Sequence, residues 1–378
     1  ATLDVLETGV PYPIKFAYMF GFNGIANMVP QPKRWMEAVR KIDFVAVADL
    51  FMTPLAMACA DIFLPANSFL EHKGFINNSN ASQPGQFGAV VPAIEPLGES
   101  KSDLEIMLEL HRRIYPDSTK PQWASPEAYL NGEVEKINGV DVSYDELAEK
   151  VIGQYELPYL KYEKGLLRFD GGPGFNTPTG RIELYNTNMM LWGYDALPEF
   201  KEPSCSPYES PELYEKYPFV LTTGARSFEF FHSENRQPNT TSRELHPMPK
   251  FEMSKNSAEK LGLEDGDWCW LENQHGRCKQ ILRINPSLDE RVVRAEHGWW
   301  FPETEGAEPN LFGVFDSNIN NLTPQCENGD TGFGAPYANQ LCKIYKCTEE
   351  NSKVMPSYHV TMEDGYSKDI DESNGDVK

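Results

Sequence analysis

The chain has 378 residues, long enough for two or three domains with sizeable cores. Hydrophobic residues at 40% and aromatics at 12% exclude a disordered polypeptide. The formal charge of −22 lacks the basic surplus of a nucleic-acid groove, so no nucleic-acid partner is expected, and the excess acid reads as solvated surface.

Residues 1–115 read as α/β. Ile14–Phe20 is a short apolar strand followed by the turn Gly21-Phe22-Asn23-Gly24. Pro32–Lys41 reads as a helix with Pro near its start and Trp35, Ala38, Val39 and Ile42 on one face. Phe44–Ala48 is a continuous apolar run, as a strand buried on both faces requires, and it ends at Asp49. Thr53 is the expected N-cap, with Pro54 at the first helical position, of a short helix over Leu55–Ala60. Asp61–Leu64 is the next strand, stopped by Pro65. Ser102–Ile114 is an amphipathic helix with Leu104, Met107, Leu108 and Leu110 inward. Strands alternating with helices across short loops predict a doubly wound parallel sheet. Three strands are few for such a sheet, so others are expected from sequence preceding Ala1.

Residues 116–216 read as an irregular connector rich in Pro, Gly and Tyr, with a helix over Asp145–Ile152. Within it, FDGGPGFNTPTGRIELY (169–185) reads as a glycine-rich loop leading into a strand. Residues 217–348 carry predicted strands at Phe219–Thr223, Trp268–Glu272, Cys278–Ile284, Val292–Glu296 and Cys342–Tyr345. One helix, Ser254–Leu261, is capped by Ser254. Short strands with a single helix suit a small β-barrel. Residues 349–378 form a polar, acidic tail expected to fray.

No phosphate-loop signature, GxGxxG, HExxH or GxSxG occurs. Seven cysteines, odd in number and irregular in spacing, contain no CxxC, which argues against a disulfide framework, a zinc ribbon or an iron–sulfur cysteine cluster within this sequence. Cys269 and Cys278 are expected as apolar fillers of strands. No apolar run reaches membrane-spanning length. The chain opens at Ala1 with no initiator Met, so any targeting signal is expected upstream; a soluble protein of a prokaryotic cytoplasm or periplasm fits, and the compartment stays open.

Several positions have the right chemistry for a ligand. In Gly21–Gly24, glycine lets backbone approach a phosphate and Asn23 offers a donor and an acceptor; an ordinary turn is the plain alternative. Asp49 can accept two hydrogen bonds from a guanine edge or from ribose hydroxyls, or simply cap a helix. Asp61 reads as structural. Glu71 reads as a structural acceptor, and His72 receives no role, because adjacent strand side chains point to opposite faces. Thr222-Thr223-Gly224 leaves a strand at a glycine, where N–H groups and hydroxyls can cradle an oxygen-rich group. The aromatic run His297-Gly298-Trp299-Trp300-Phe301-Pro302-Glu303 can line a substrate funnel or seal the barrel, and sealing is the commoner use.

Three segments in order resemble the molybdopterin oxidoreductases, the dimethyl sulfoxide reductase family: TTGARSFEFFHSENR (222–236), NSAEKLGLEDGDWCWLENQHGRCKQILRINPSLDERVV (256–293) and NNLTPQCENGDTGFGAPYANQLCKIYK (320–346). VADLFMTPLAMACADIFLPA (47–66) is similar to the family's D-x-f-x-t-x-T-a-x-x-ADi-x-LPa, Glu71–Gly74 to its E-x-x-G, and 177–185 to its tPtGkiEly connector. The resemblance implies α/β plus β: part of a doubly wound, dinucleotide-binding sheet domain (1–115), then a double-psi β-barrel cap (217–348). It implies molybdopterin guanine dinucleotide carrying Mo or W, bound by Gly21, Asn23, Asp49, Asp103, Thr222, Thr223, Gly224, His232, Ser233, Asn321, Asp330 and Asn339. Gly24 stands where the family has Pro, Arg226 is displaced by one from the usual Thr-Gly-Arg, and Asn339 replaces a frequent Lys. Asp103 is also a natural first-turn helix acid. No catalytic residue or metal ligand is expected in this chain. The implied partners are the N-terminal half of the same enzyme, with a 4Fe-4S cluster and the metal ligand, an iron–sulfur electron-transfer subunit, and a small-molecule substrate.

Three other readings compete. One is a non-redox family member, a hydratase or hydroxytransferase, which the HGWWFPE run (297–303) suggests. A second is a cofactor-binding module with no catalysis of its own. The third is a nucleotide-binding α/β protein joined to an unrelated barrel. If the family reading holds, Thr222–Gly224, His232 and Asn321 should lie on one face of the barrel, turned toward Gly21–Gly24 and Asp49.

Overall fold

The computed structural model describes residues 2–77, 85–137, 140–197, 199–225, 242, 245–325, 338–352, 359–362 and 366–369. The chain divides into two units. The first comprises Ala1–Val47, Met52–Phe63 and Phe200–Lys378; the second comprises Ala48–Phe51 and Leu64–Glu199. Among the described residues no helix is long and apolar enough to cross a membrane.

The first part of the chain forms a three-stranded sheet in the order β1 (Phe16–Phe20), β2 (Phe44–Asp49), β3 (Ile62–Pro65). Asp61 N donates to Val45 O at 2.8 Å and Ala66 N to Asp49 O at 3.0 Å; the residue numbers rise together, so β2 and β3 run parallel. Val45 to Ala48 are all buried, as a two-sided strand requires. The predicted helix spans Pro32–Val39, and Ala38, Val39 and Ile42 pack against Val45 and Val47 with Trp35 at the margin. An additional helix, Thr2–Thr8, adds Leu3 and Leu6 to this core. Thr53 caps Pro54–Cys59 by accepting from Ala56 N at 3.3 Å. Asp61 is structural: its carboxylate accepts from Val45 N at 2.7 Å and ties the start of β3 to β2.

The second unit holds an antiparallel sheet that the sequence reading lacked, β4 (Gly74–Asn77), β5 (Gln86–Val90) and β6 (Ile152–Gln154). Phe87 and Ala89 meet Leu130, Val134, Tyr144 and Leu147 from the helices Pro126–Glu135 and Tyr144–Lys150. The helix Asp103–Ile114 starts in a capping box: Glu105 N donates to Ser102 Oγ at 3.2 Å, and Ser102 N donates to the Glu105 carboxylate at 2.8 Å. Its buried side chains are Ile106 and Leu108; Leu104 is partly buried, and Met107 and Leu110, expected inside, are 42% and 36% exposed. The strand expected at the end of 169–185 is absent. Thr177 Oγ1 donates to Arg181 O at 2.7 Å and Phe175 N to Gly180 O at 2.9 Å, so local turns take the backbone groups a strand would have paired. This stretch and the short helix after it, Thr187–Leu191, leave Phe169 96%, Leu184 82% and Leu191 82% exposed.

The rest of the first unit is a closed six-stranded barrel. Its strands are β7 (Phe219–Ala225), β8 (Lys250–Met253), β9 (Trp268–Glu272), β10 (Arg277–Ile284), β11 (Val292–Glu296) and β12 (Gln340–Lys346). They close in the order β10-β8-β11-β7-β12-β9. The β10–β8 and β11–β7 pairs are parallel and the other four antiparallel. Leu221, Phe251, Met253, Leu271, Leu282 and Val293 fill the interior, with Cys269, Cys278 and Cys342 as buried fillers. Burial pushes all three thiols up, away from reactive thiolate. Ser254 caps Lys255–Leu261 by accepting from Ser257 N at 3.2 Å, and Gly262 ends it at φ +67°. In the tail, His359–Met362 and Tyr366–Asp369 pair antiparallel as β13 and β14, where fraying was expected.

Phe251→Ala empties part of a sealed barrel and should cost about 3–5 kcal/mol, whereas Thr53→Ala loses one cap and should cost about 1 kcal/mol. Urea unfolding of the two variants checks the ranking; equal losses would mean that the barrel interior relaxes around the cavity.

Candidate functional site

The turn after β1 needs glycine at Gly21, where φ is +53° and an added Cβ would meet nothing, so the demand is conformational. At Gly24 the demand is space, because a Cβ there would strike the Phe22 ring. Asn23 occupies the N-cap position of Gly24–Asn27 yet makes no cap bond. Its Oδ1 is buried with no hydrogen-bond partner among the described residues. An acceptor left so costs about 1–3 kcal/mol unless a donor arrives from elsewhere.

Bonded to the segment that follows this turn, in the same unit, is the short 3-10 turn Ile319–Leu322. Gln31 N donates to Asn320 O at 3.2 Å, and the Asn318 amide donates to Ala26 O. Asn321 lies in this turn, but its Nδ2 donates to Phe315 O at 2.8 Å, so half of its amide is spent on local backbone. The turn also rests on the β9–β10 hairpin: Asn273 Nδ2 donates to Leu322 O at 2.8 Å, and a Cβ at Gly276 would come within 2.6 Å of Asn321 O.

Thr222, Thr223 and Gly224 lie within β7, at the end where the β7–β11 register shifts between Arg294 and Glu296. A bulge at a strand end re-aims side chains and frees backbone groups. Thr223 is buried, while Gly224 is exposed with open space where a Cβ would lie. Gln340 pairs with Leu221 across β12, which puts Asn339 level with Thr222 at the same barrel end. Asn339 Oδ1 accepts from Gln340 Nε2 at 3.4 Å. Next to this end, and missed by sequence reasoning, the Glu296 carboxylate pairs with buried His246 at 2.9 Å and accepts from Lys250 N at 2.9 Å. His232, Ser233 and Asp330 lie outside the described residues.

The aromatic run packs rather than lining an open funnel. Trp300 meets Phe312 edge-on at 5.3 Å in a cluster with Ile25, Ala26 and Leu55, and Trp299 and Phe301 pack with Met248, Trp268 and Ile281. These rings seal the barrel against the segment that carries Gly21–Gly24.

Asp49 and Asp103 belong to the second unit. Asp49 accepts from Leu50 N at 2.7 Å, as a turn residue does. Burial, and secondarily the charge of Asp103, raise its carboxyl above the ordinary range; burial raises Asp103 too. Glu71 acts as a structural acceptor, taking Ser68 N and Leu97 N at 2.8 Å each; the Ser68 hydroxyl first, and then these two backbone bonds, hold it below the ordinary carboxylate range. Asn67, which sequence reasoning passed over, is 6% exposed, and its Oδ1 has no partner among the described residues. Its place just past the end of β3 was the available hint, since sheets of this kind bind ligands there. Among the described residues, no three His, Cys, Asp or Glu side chains are grouped to hold a metal ion. Taken separately, the second unit offers hydrogen-bond acceptors and the first offers amides, hydroxyls and backbone groups.

The pH response follows from the raised Asp49 pKa. A carboxyl with a raised folded pKa adds stability below its unfolded pKa and loses it as pH rises through the folded value. Asp49→Asn cannot ionise, so it should melt higher than the ligand-free parent at about pH 7, with the gap narrowing as pH falls toward the carboxylate range. Thermal melts across pH check this; a gap independent of pH would remove the ionisation argument.

Comparison with known proteins gives this geometry a context. A family profile described as "Molybdopterin oxidoreductase" matches residues 5–113, and one described as "Molydopterin dinucleotide binding domain" matches 219–341. Acetylene hydratase of Syntrophotalea acetylenica is 30% identical over 92% of this chain and 46% of its own length. Dopamine dehydroxylase of Eggerthella lenta is 28% identical over 92% of this chain and 40% of its own. The dimethyl sulfoxide/trimethylamine N-oxide reductase of Rhodobacter capsulatus is 26% identical over 92% and 43%. The solved structure of acetylene hydratase from Pelobacter acetylenicus superposes with a TM-score of 0.80 at 28% identity, covering 92% of this chain and 46% of that one. The chain thus spans less than half the length of these relatives, and it belongs to the molybdopterin oxidoreductase family.

Proposed function

We propose that this chain is the C-terminal, cofactor-holding portion of an oxidoreductase that carries molybdenum or tungsten on two pyranopterin guanine dinucleotides. In this reading the barrel is of the double-psi type and the 1–115 region is part of a doubly wound sheet. Gly21, Asn23, Thr222, Thr223, Gly224, His232, Ser233, Asn321, Asp330 and Asn339 contact pterin and phosphate atoms. Asp49 and Asp103 accept hydrogen bonds from guanine. The observation that carries the reading is the partly buried Asp49 carboxylate beside Asp103, an unfavourable arrangement that a ligand rich in N–H donors would repay. The unpartnered Asn23 Oδ1 and the open space beside Gly224 fit the same kind of ligand.

When bound, the metal supplies two-electron chemistry such as oxygen-atom transfer, dehydrogenation or dehydroxylation. The chain's own share is to grip and orient. The bulged end of β7 presents backbone and hydroxyls, the 3-10 turn fixes the Asn23 segment, and the Trp299–Phe301 cluster excludes water behind them. The metal ligand and a 4Fe-4S cluster belong to the N-terminal part of the enzyme. An iron–sulfur subunit exchanges electrons with it, and a small molecule is the substrate. The share of each relative that this chain matches, 40–46%, supports that division.

A second reading has its own support. The likeness to acetylene hydratase, in sequence and at a TM-score of 0.80, favours a hydratase or hydroxytransferase in which the metal keeps one oxidation state. Redox titration of the complete enzyme separates the two: activity that requires the metal to cycle supports the oxidoreductase.

The purified 378-residue chain should show no turnover with an artificial electron donor; substrate reduction by it would overturn the division of labour. In the assembled enzyme, Asp49→Ala should weaken guanine-nucleotide binding by about 1.5–3 kcal/mol, the worth of a charge-assisted pair, and more than Asp61→Ala does. Equal cofactor occupancy in two folded variants would reduce Asp49 to a turn residue.

A further inference from the structure

The second unit contains one more group with the properties of a ligand contact. Asn67 follows β3, and its neighbourhood is fixed by backbone on both sides: Ala66 N donates to Asp49 O at 3.0 Å, and Asn67 N donates to Lys101 O at 3.0 Å, two residues before Asp103. Ala66 and Lys101 form a β-bridge, so the loop after β3 is held between the end of β2 and the start of the Asp103–Ile114 helix. Asp49 and Asp103 are close enough for one charge to act on the other, and His72 acts in turn on Asp103. The Asn67 Nδ2 is directed at Glu71 O, at 3.5 Å. The planar amide therefore turns Oδ1 away from Glu71, and that oxygen is buried with no partner among the described residues. The Nδ1 of His72 is likewise buried without one.

The set is rich in acceptors and poor in donors. A purine with N–H groups along one edge complements it. Guanine presents N1–H and two protons on its exocyclic amine. One carboxylate satisfies N1–H and the nearer amine proton as a bidentate pair, and the second amine proton then needs a separate acceptor.

We propose that Asn67 Oδ1 accepts this second amine proton and so adds to the carboxylate's discrimination of guanine from bases lacking the amine. The inference rests on the guanine-site reading of Asp49 and Asp103 above, but it assigns a different residue and a different proton. Hypoxanthine is the discriminating probe, because it keeps N1–H and lacks the amine.

The test is calorimetric titration of the chain with GMP and with IMP. The parent chain should bind GMP roughly tenfold or more tightly than IMP, because IMP lacks both amine protons and leaves the carboxylate and Asn67 each short of a donor. Asn67→Ala should weaken GMP several-fold and leave IMP unchanged, with a residual preference for GMP from the carboxylate's bond to the nearer amine proton. Asn67→Leu, which keeps the bulk and removes the acceptor, should do the same and decides the matter if the alanine variant does not fold. A folded Asn67 variant that keeps the parent's GMP-to-IMP ratio, whether by losing neither or by losing both equally, overturns the assignment and leaves the guanine site standing. Equal binding of GMP and IMP by the parent also overturns it. A parent chain that binds neither nucleotide overturns the assignment and the guanine site together.

Discussion

Closure of the barrel is the constraint on which the rest of the first unit depends. Its first and last strands, β7 and β12, pair antiparallel with Gln340 opposite Leu221, although more than a hundred residues separate them in sequence. That pairing removes two free edges and brings Thr222 and Asn339 to one end of the barrel. No local propensity could do this. It follows from six short strands whose inward side chains cannot be hidden from water any other way.

The closed barrel then acts as a platform for the front of the chain. Its 3-10 turn, Ile319–Leu322, accepts from Gln31 N and from Asn273 of the β9–β10 hairpin, and the preceding Asn318 donates its side-chain amide to Ala26 O. The Trp300 cluster fills the space beneath. Rigid elements therefore support Asn23, a residue whose own acceptor is left without a partner. Stability is given up at one atom and recovered in the packing around it, as expected where a binding site is built before its ligand arrives.

Elements with strong local chemistry were legible in the sequence. The apolar run of β2, the Thr53-Pro54 helix start, Ser254 as a cap and five barrel strands all fall where pattern and turn residues put them. β8 was not legible: four residues, two of them charged, follow the proline-containing His246–Pro249 and run straight into a helix cap at Ser254, and the strand exists because β10 and β11 offer edges on either side. β4 to β6 are short and glycine-containing for a similar reason. The inward face of Asp103–Ile114 was misjudged at Met107 and Leu110 because periodicity marks a stripe but not which neighbours cover it. The site divides in the same way. Glycines and the strand-end Asp49 stand out in a sequence, whereas an orphaned oxygen such as that of Asn67 is a property of packing alone.

The uncovered apolar side chains of the second unit have a colloidal consequence. Phe169, Leu184 and Leu191 stand almost entirely in solvent, on a chain whose net charge is −22. At low ionic strength, like charge on every copy holds molecules apart and masks the stickiness of those rings and alkyl groups. Salt shortens the reach of that repulsion to about 8 Å at physiological strength and leaves hydrophobic attraction intact. The chain is thus balanced between mutual repulsion and self-association, and dissolved salt sets which of the two prevails.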